Sequence, residues 1–289
     1  MISPHAIFIP ESPAGFEGKP SISATSADGK YWVGYAVDKK GGEGLYRPLL
    51  WTDGTPEVLP MPEKGFREQE FTTGVMARGI SANGEVVYGT SWENWDFGML
   101  YWVNNGANTE KPKWVGEDVR EVWEETMKNS DGTEYTTHLV NGLICQAQLT
   151  KISPNGKWIA SSYRTETLAE DGFSIVTTQT AAFYNTETET TTIVSDYGES
   201  VGVHVTDDGI GFIGIGTHNN SSGVVYDLNT GTDLGSTQDW VYDNYGIIIP
   251  AGYINYVSAD GRFVLGTKAE SSAMGVSFIN WYIAPPIAK

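Results

Sequence analysis

The sequence predicts an all-β protein, a five-bladed β-propeller that forms one domain over residues 1–289. Three observations predict it. A short turn motif occurs five times between apolar runs, and an aromatic-rich strand follows each copy. In addition, an apolar run that belongs to no unit precedes the first copy, whereas the last copy ends one strand short. A sequence period near 50 residues is typical of propellers, in which radially arranged blades leave few open sheet edges.

The repeated turn has the form Ser/Thr-x-Asp/Asn-Gly. Asp-Gly or Asn-Gly between β-type runs indicates a hairpin, because a type I′ turn needs positive φ at both central residues. The Asp or Asn positions of successive copies lie 55, 72, 53 and 52 residues apart, and about 52 residues accommodate four ordinary strands with their loops. The copies are at 26–29, 81–84, 153–156, 206–209 and 258–261.

Later strands repeat as well. A third strand is predicted at 49–54, 100–104, 182–185, 224–227 and 278–281. A fourth strand is predicted in four units, at 57–60, 113–115, 190–194 and 232–235, and the fifth unit reaches Pro285 without one. The predicted units cover about 20–65, 66–118, 119–200, 201–250, and 251–283 together with 5–10.

The orphan run Ala6–Ile9 belongs to no unit, and we expect it to pair with the last strand and complete the fifth blade. The third unit is longer than its neighbours, and the surplus lies between Gly116 and Gln148. This surplus predicts an insertion, either a hairpin turning at Asp131-Gly132 or one helical turn near Val122. A six-bladed ring or a sandwich of five-stranded sheets would explain the orphan run less directly.

The composition excludes several classes of partner. The chain has 18 Lys and Arg against 36 Asp and Glu, a net charge of −18, which repels phosphate backbones and anionic lipid headgroups. No stretch approaches the roughly 18 apolar residues of a membrane helix, and residues 1–13 lack the pattern of a signal peptide. The single cysteine, Cys145, leaves no intramolecular disulfide. We therefore expect no nucleic acid partner and no membrane insertion.

At the turn residues the chain resembles the HAF repeat of bacterial extracellular proteins. That pattern is Ile-Asn/Ser-x-x-Gly-x-Val-Val-Gly, then an aromatic-rich strand, then Asp-Leu-Gly. The nearest copy here is Ile80–Gly89, with one extra residue before the closing Gly, and Asp233–Gly235 matches the end of the unit. The third unit departs from the pattern, with Ala160-Ser161 in place of Gly. The resemblance implies a propeller-like repeat on an exported protein, so we expect an extracellular, cell-surface or periplasmic location.

The candidate binding residues lie in the predicted loops opposite the repeated turns, at the mouth of the channel. Loops on a rigid scaffold commonly bind ligands. Aromatic rings stack on sugar rings and short amides or carboxylates bind their hydroxyls, while packing between blades is the alternative role of the same rings. The candidates are Trp92, Asn94, Trp95, Asp96, Arg164, His218, Asn219, Trp240, Tyr242 and Asp243.

These residues predict a monomeric, non-enzymatic binding or adhesion module that recognises a glycan or a protein through one propeller face. The alternative is a propeller-type glycoside hydrolase, with Asp96, Glu166 and Asp243 as candidates for acid, base and orienting residue. We expect no cofactor and no metal. The four His residues lack zinc spacing, no segment matches an EF-hand loop, and turn geometry explains Asp or Asn before Gly.

Overall fold

A computed structural model describes residues 10–38, 44–91, 98–104, 111–145, 151–216, 222–272 and 275–284. Within these residues the chain forms five antiparallel sheets, one α-helix and one 3₁₀ turn. The predicted all-β class is confirmed. In the same residues no helix is both long enough and apolar enough to span a membrane.

The first two sheets each contain four strands in chain order, as the repeat predicts. The first comprises β1 (Glu17–Thr25), β2 (Tyr31–Asp38), β3 (Leu45–Thr52) and β4 (Thr55–Val58). The second comprises β5 (Val75–Ile80), β6 (Val86–Ser91), β7 (Met99–Val103) and β8 (Lys113–Trp114).

The third sheet contains the insertion. Its strands are β9 (Glu121–Lys128), β10 (Glu134–Ile144), β11 (Lys151–Ile152), β12 (Trp158–Leu168), β13 (Ile175–Asn185) and β14 (Thr190–Val194). The hairpin β9–β10 turns at Asp131-Gly132, one of the two predicted forms, and β10 joins the edge of β12 beside the short β11. The predicted helical turn near Val122 was wrong, because Val122 lies in β9; a 3₁₀ turn precedes it at Glu117–Val119.

The fourth and fifth sheets are separated by a helix. The fourth comprises β15 (Ser200–Val205), β16 (Ile210–Ile215), β17 (Ser222–Asp227) and β18 (Thr232–Ser236), followed by α1 (Thr237–Tyr245). The fifth comprises β19 (Tyr253–Val257), β20 (Val264–Ser272) and β21 (Gly275–Ile283). Three strands of the fifth sheet are described, and its predicted completion by Ala6–Ile9 lies outside the described residues.

The repeated turns lie between the first two strands of their units, as predicted, but the predicted type I′ geometry was wrong. Gly29 has φ of 71°, whereas Asp28 does not have positive φ. The turn is closed by a hydrogen bond from Gly29 N–H to Ser26 O (3.0 Å), and the Asp28 carboxylate accepts from the Ser26 hydroxyl (2.6 Å) and from Lys30 N–H (3.0 Å). The bond from hydroxyl to carboxylate or amide recurs in all five turns. The Ser/Thr of the motif therefore orders the turn.

Apolar clusters fill the space between successive sheets. The cluster between the first and second sheets includes Val33, Leu50 and Trp102, and comparable clusters join the second to the third, the third to the fourth, and the fourth to the fifth. Across the described ranges no such cluster joins the fifth sheet to the first. The sheets thus pack face to face in chain order, which brings their repeated turns side by side.

Candidate functional site

Hydrogen bonds connect the repeated turns of neighbouring units on one face of the structure. Three successive junctions, from the first unit to the fourth, are joined in this way. The bonds run from Ala27 N to Ala82 O (2.9 Å), from Asn83 N to Pro154 O (3.3 Å) and from Asn155 N to Asp207 Oδ1 (2.8 Å). No equivalent bond joins the turns 206–209 and 258–261, both of which the structure describes. A cavity opens at this fourth junction.

This cavity, the α1 cavity, has a volume of about 440 Å³ and lies between the turns of the fourth and fifth units and helix α1. Its volume falls within the range of roughly 300–1,000 Å³ found for small-molecule sites. Two aromatic rings, Trp240 and Tyr245, form part of its wall. Its polar lining includes Asp207, Asp208 and Asn244.

Helix α1 places both rings at the cavity. Ser236 caps its N-terminus by accepting from Asp239 N–H (3.1 Å), and Gly246 ends it with φ of 67°. We predicted that Trp240, Tyr242 and Asp243 lie in a loop on the face opposite the repeated turns, and both parts of that prediction were wrong. The segment is a helix, and its Trp240 lies beside the turns 206–209 and 258–261. Ser236 followed three residues later by Asp239 is an N-cap signal that precedes a run without Gly or Pro.

The rings are fixed by contacts with both neighbouring sheets. The half-buried Trp240 ring packs edge-on against Phe212 of β16, with ring centroids 5.1 Å apart, and against Tyr245 at 5.8 Å. The Tyr245 hydroxyl donates to Gly261 O (2.6 Å) in the turn of the fifth unit. Burial, and secondarily the nearby charge of Asp260, raise the pKa of Tyr245, which keeps this donor protonated. The aromatic wall is therefore ordered before any ligand binds.

The carboxylates of the cavity keep capacity for a ligand. Asp207 is half-buried and its Oδ1 accepts from Asn155 N–H, while the exposed Asp208 accepts from the Thr206 hydroxyl. Because a carboxylate offers about four acceptor positions, both groups can accept further hydrogen bonds. Among the described residues that line this cavity there is no Lys or Arg. The site is anionic and partly aromatic.

A second cavity, of about 640 Å³, lies between the turns of the second and third units. Its charged lining is internally paired: Lys157 lies 3.2 Å from Glu187, and Asn83 Nδ2 donates to Glu85 Oε2 (2.8 Å). One aromatic residue, Tyr31, lines it. We therefore take the smaller α1 cavity as the candidate functional site.

The structure does not bring the predicted site residues together. Six of them lie outside the described residues: Trp92, Asn94, Trp95, Asp96, His218 and Asn219. Trp240 lines the α1 cavity, whereas Arg164 lies in the third sheet. Tyr242 (57% exposed) and Asp243 lie on α1 with their side chains in solvent.

Arg164 and Glu166 lie in strand β12, so their predicted loop position was wrong; the strand continues to Leu168. Glu166 is 2% exposed and accepts four N–H groups. Arg67 Nη2 (2.7 Å) and Arg164 Nη2 (3.0 Å) contact its Oε1, while Arg67 Nη1 (2.8 Å) and Val140 N (3.0 Å) contact its Oε2. This buried ion cluster ties the connection before the second sheet to the inserted hairpin.

Of the residues that line the α1 cavity, Trp240 was among the ten candidates, whereas Asp207, Asp208, Asn244 and Tyr245 were not. One signal for Asp207 is present in the sequence. The second position of the repeated turn is Ala, Ala, Pro or Ala in the other copies and Asp only in the fourth. Asn244 and Tyr245 follow Trp240 by four and five residues, which places them near it only once the segment is recognised as a helix.

No protein-family model matches the chain, and no curated protein is significantly similar to it. Among solved structures, the chain is similar to TolB from Acinetobacter baumannii, with 11% identity, 93% of this chain and 52% of that chain covered, and a TM-score of 0.41. It is also similar to the β-propeller domain of the Trilobed protease from Pyrococcus furiosus, with 10% identity, 93% and 69% coverage, and a TM-score of 0.47. The chain spans about half the length of the TolB structure. With TM-scores below 0.5, these likenesses carry no statement about function.

Proposed function

We propose that this protein is a non-enzymatic binding module that recognises a glycan in the α1 cavity. The observation that carries the proposal is the composition of the cavity lining, which combines the rings of Trp240 and Tyr245 with the polar groups of Asp207, Asp208 and Asn244. An aromatic ring can stack on the C–H face of a sugar, and carboxylate and amide groups can bind its hydroxyls. A protein that binds on this face is the alternative ligand, and it would remain if no glycan binds.

The proposal includes a closed five-bladed propeller as the scaffold. Three sheets have the predicted four strands, and the fifth has β21 at its edge with Phe278 and Tyr282 exposed. Residues 6–9 of the same chain would supply the strand that covers this edge. We also propose a monomer located in the periplasm, at the cell surface or outside the cell, with no nucleic acid partner, consistent with the net charge of −18.

The state of Glu166 supports a non-enzymatic role. A carboxylate has about four acceptor positions, and four protein N–H groups occupy those of Glu166. A glycosidase acid or base must instead reach the glycosidic oxygen or a water beside it. Of the three carboxylates of the hydrolase alternative, Glu166 thus lacks a position for substrate.

The test is a glycan-array screen followed by titration of each hit against the wild-type protein and Trp240→Leu. Loss of a stacked ring should weaken binding by about 1–3 kcal/mol. Trp32→Leu is a matched control, because Trp32 is also half-buried but lies in the first sheet. Binding of no glycan, equal losses in both variants, or cleavage of a bound glycan would each contradict the proposal.

A further inference from the structure

The α1 cavity combines two features that favour a cation. Asp207 and Asp208 contribute carboxylates, and the adjoining turn of the fifth unit carries Asp260, whose pKa is lowered chiefly by the Ser258 hydroxyl. The nearby Arg262 is exposed and lies outside the described cavity lining. A ligand in this cavity therefore meets negative charge that no lining Lys or Arg offsets.

The aromatic wall favours the same sign of charge. The face of an aromatic ring attracts ammonium groups through its quadrupole, most strongly for Trp. Trp240 and Tyr245 are held in place by Phe212 and by Gly261 O, so their rings need little reorganisation to receive a cation. Carboxylates and ring faces would both oppose an acidic or sulfated sugar.

The cavity between the second and third units shows that this charge pattern is local. There Lys157 is paired with Glu187 at 3.2 Å, so a cation already lies in the wall. The α1 cavity has the opposite arrangement, with acceptors and no cation among its described lining residues. The overall charge of −18 therefore does not by itself explain why the described lining of the α1 cavity is anionic.

An amide group beside the carboxylates matches a sugar ring. Asn244 lines the cavity together with the two aspartates, whereas the Thr206 and Ser258 hydroxyls donate to Asp208 and Asp260 within their own turns. Asn244 Nδ2 donates to Trp240 O (2.8 Å), which leaves its amide oxygen to accept. A hydroxyl-rich ring that carries an ammonium group satisfies all of these features.

We infer that the α1 cavity selects glycans with a free amino group, that is, oligosaccharides of 2-amino-2-deoxy sugars in their non-acetylated, cationic form. The inference rests on the proposed function and names its ligand class. The ammonium group lies against the Asp207 carboxylate and the Trp240 ring. N-acetylation removes the charge and keeps the rest of the sugar, so it separates recognition of charge from recognition of the ring.

The experiment compares two probes of equal length and linkage, the β-1,4-linked hexasaccharides of glucosamine and of N-acetylglucosamine, by calorimetry at mildly acidic pH. We expect the glucosamine probe to bind at least about tenfold more tightly, which corresponds to roughly 1.4 kcal/mol. Asp207→Asn should abolish most of this preference. The variant keeps an oxygen that accepts from Asn155 N–H, so the turn is preserved.

Asp171→Asn is the matched control, because it removes the same charge from an exposed turn between β12 and β13. Equal binding of the two hexasaccharides would overturn the inference and leave the proposed function standing. Binding of neither, with no hit in the glycan array, would overturn both. Equal loss of preference in Asp207→Asn and Asp171→Asn would also overturn the inference, because it would indicate attraction to the general acidic surface.

Discussion

Glu166 and Asp207 are acidic residues at junctions between sheets, but their surroundings differ. Glu166 is 2% exposed and bound by Arg67, Arg164 and a backbone N–H group. Asp207 is half-buried, accepts one described hydrogen bond and faces a cavity without a lining cation. The first carboxylate is committed to the fold, and the second is available to a ligand. For these two residues, the number of protein groups that bind the carboxylate distinguishes the structural from the candidate binding residue, whereas the residue type does not.

The same contrast extends to the two junctions themselves. Where the turns of the second and third units meet, Asn83 N–H binds Pro154 O directly. Where the fourth and fifth units meet, α1 contributes Trp240 and Tyr245 to the lining of the cavity. The helix therefore adds two aromatic rings to this cavity, whereas Tyr31 is the aromatic residue that lines the cavity between the second and third units.

The largest expected effect on stability comes from neutralising the buried carboxylate of Glu166. Glu166→Gln removes the carboxylate charge that contacts Arg67 and Arg164, each with a side chain only 15% exposed. Breaking a buried pair from one side costs about 3–5 kcal/mol, and we expect a loss of this size in the free energy of unfolding. Denaturant titration monitored by tryptophan fluorescence measures it.

The control for this prediction is Glu189→Gln. Glu189 also forms an ion pair between two units, with Lys113 at 2.5 Å, but both side chains are about half exposed. Exposed pairs contribute about 0–1 kcal/mol, so this variant should unfold close to the wild type. Similar losses in the two variants would show that the buried Glu166 cluster stabilises the fold no more than an exposed ion pair does.

A smaller effect on the free energy of unfolding is expected for Asp207, which lines the α1 cavity. Asp207→Ala removes the acceptor of Asn155 N–H and should lower the free energy of unfolding by about 0.5–1.5 kcal/mol. Asp207→Asn retains an acceptor and should stay near the wild-type value. A loss of several kcal/mol in Asp207→Ala, measured in the same denaturant titration, would assign Asp207 to the fold rather than to the ligand.

The repeat made most of the fold predictable. The turn motif located the first hairpin of every unit, and position within the repeat located later strands such as β14 and β18. The predicted type I′ geometry was wrong because the Ser/Thr of the motif, and not Asp-Gly alone, sets the conformation of the turn. The Ser26 hydroxyl binds the Asp28 carboxylate and holds a turn in which only Gly29 has positive φ. The motif contained this information in its Ser/Thr position.

The site was less predictable because it depends on contacts between distant segments. Trp240 was named from its aromatic neighbourhood, but its position required recognition of α1 from the Ser236 cap. Glu166 could be paired with Arg164 two residues earlier on the same strand face. Its stronger partner, Arg67, lies 99 residues away, and no local pattern indicates it.

The smallest expected effect, on the pH dependence of Tm, concerns a third group of acidic residues, the exposed aspartates of the repeated turns. Hydrogen bonds from Ser26 and Ser258 are the largest causes that lower the pKa of Asp28 and Asp260. A carboxyl whose folded pKa is depressed stabilises the fold above its unfolded pKa of about 3.9, and this contribution is lost as the pH falls through the folded pKa. The double variant Asp28→Asn/Asp260→Asn should therefore show a shallower fall of Tm below about pH 4 than the wild type. Asn155 already occupies the same position in the third unit and accepts from Ser153, so the exchange should preserve the turn at neutral pH. Calorimetric scans across the acid range measure the slope, and parallel Tm profiles for the two proteins would contradict the assignment.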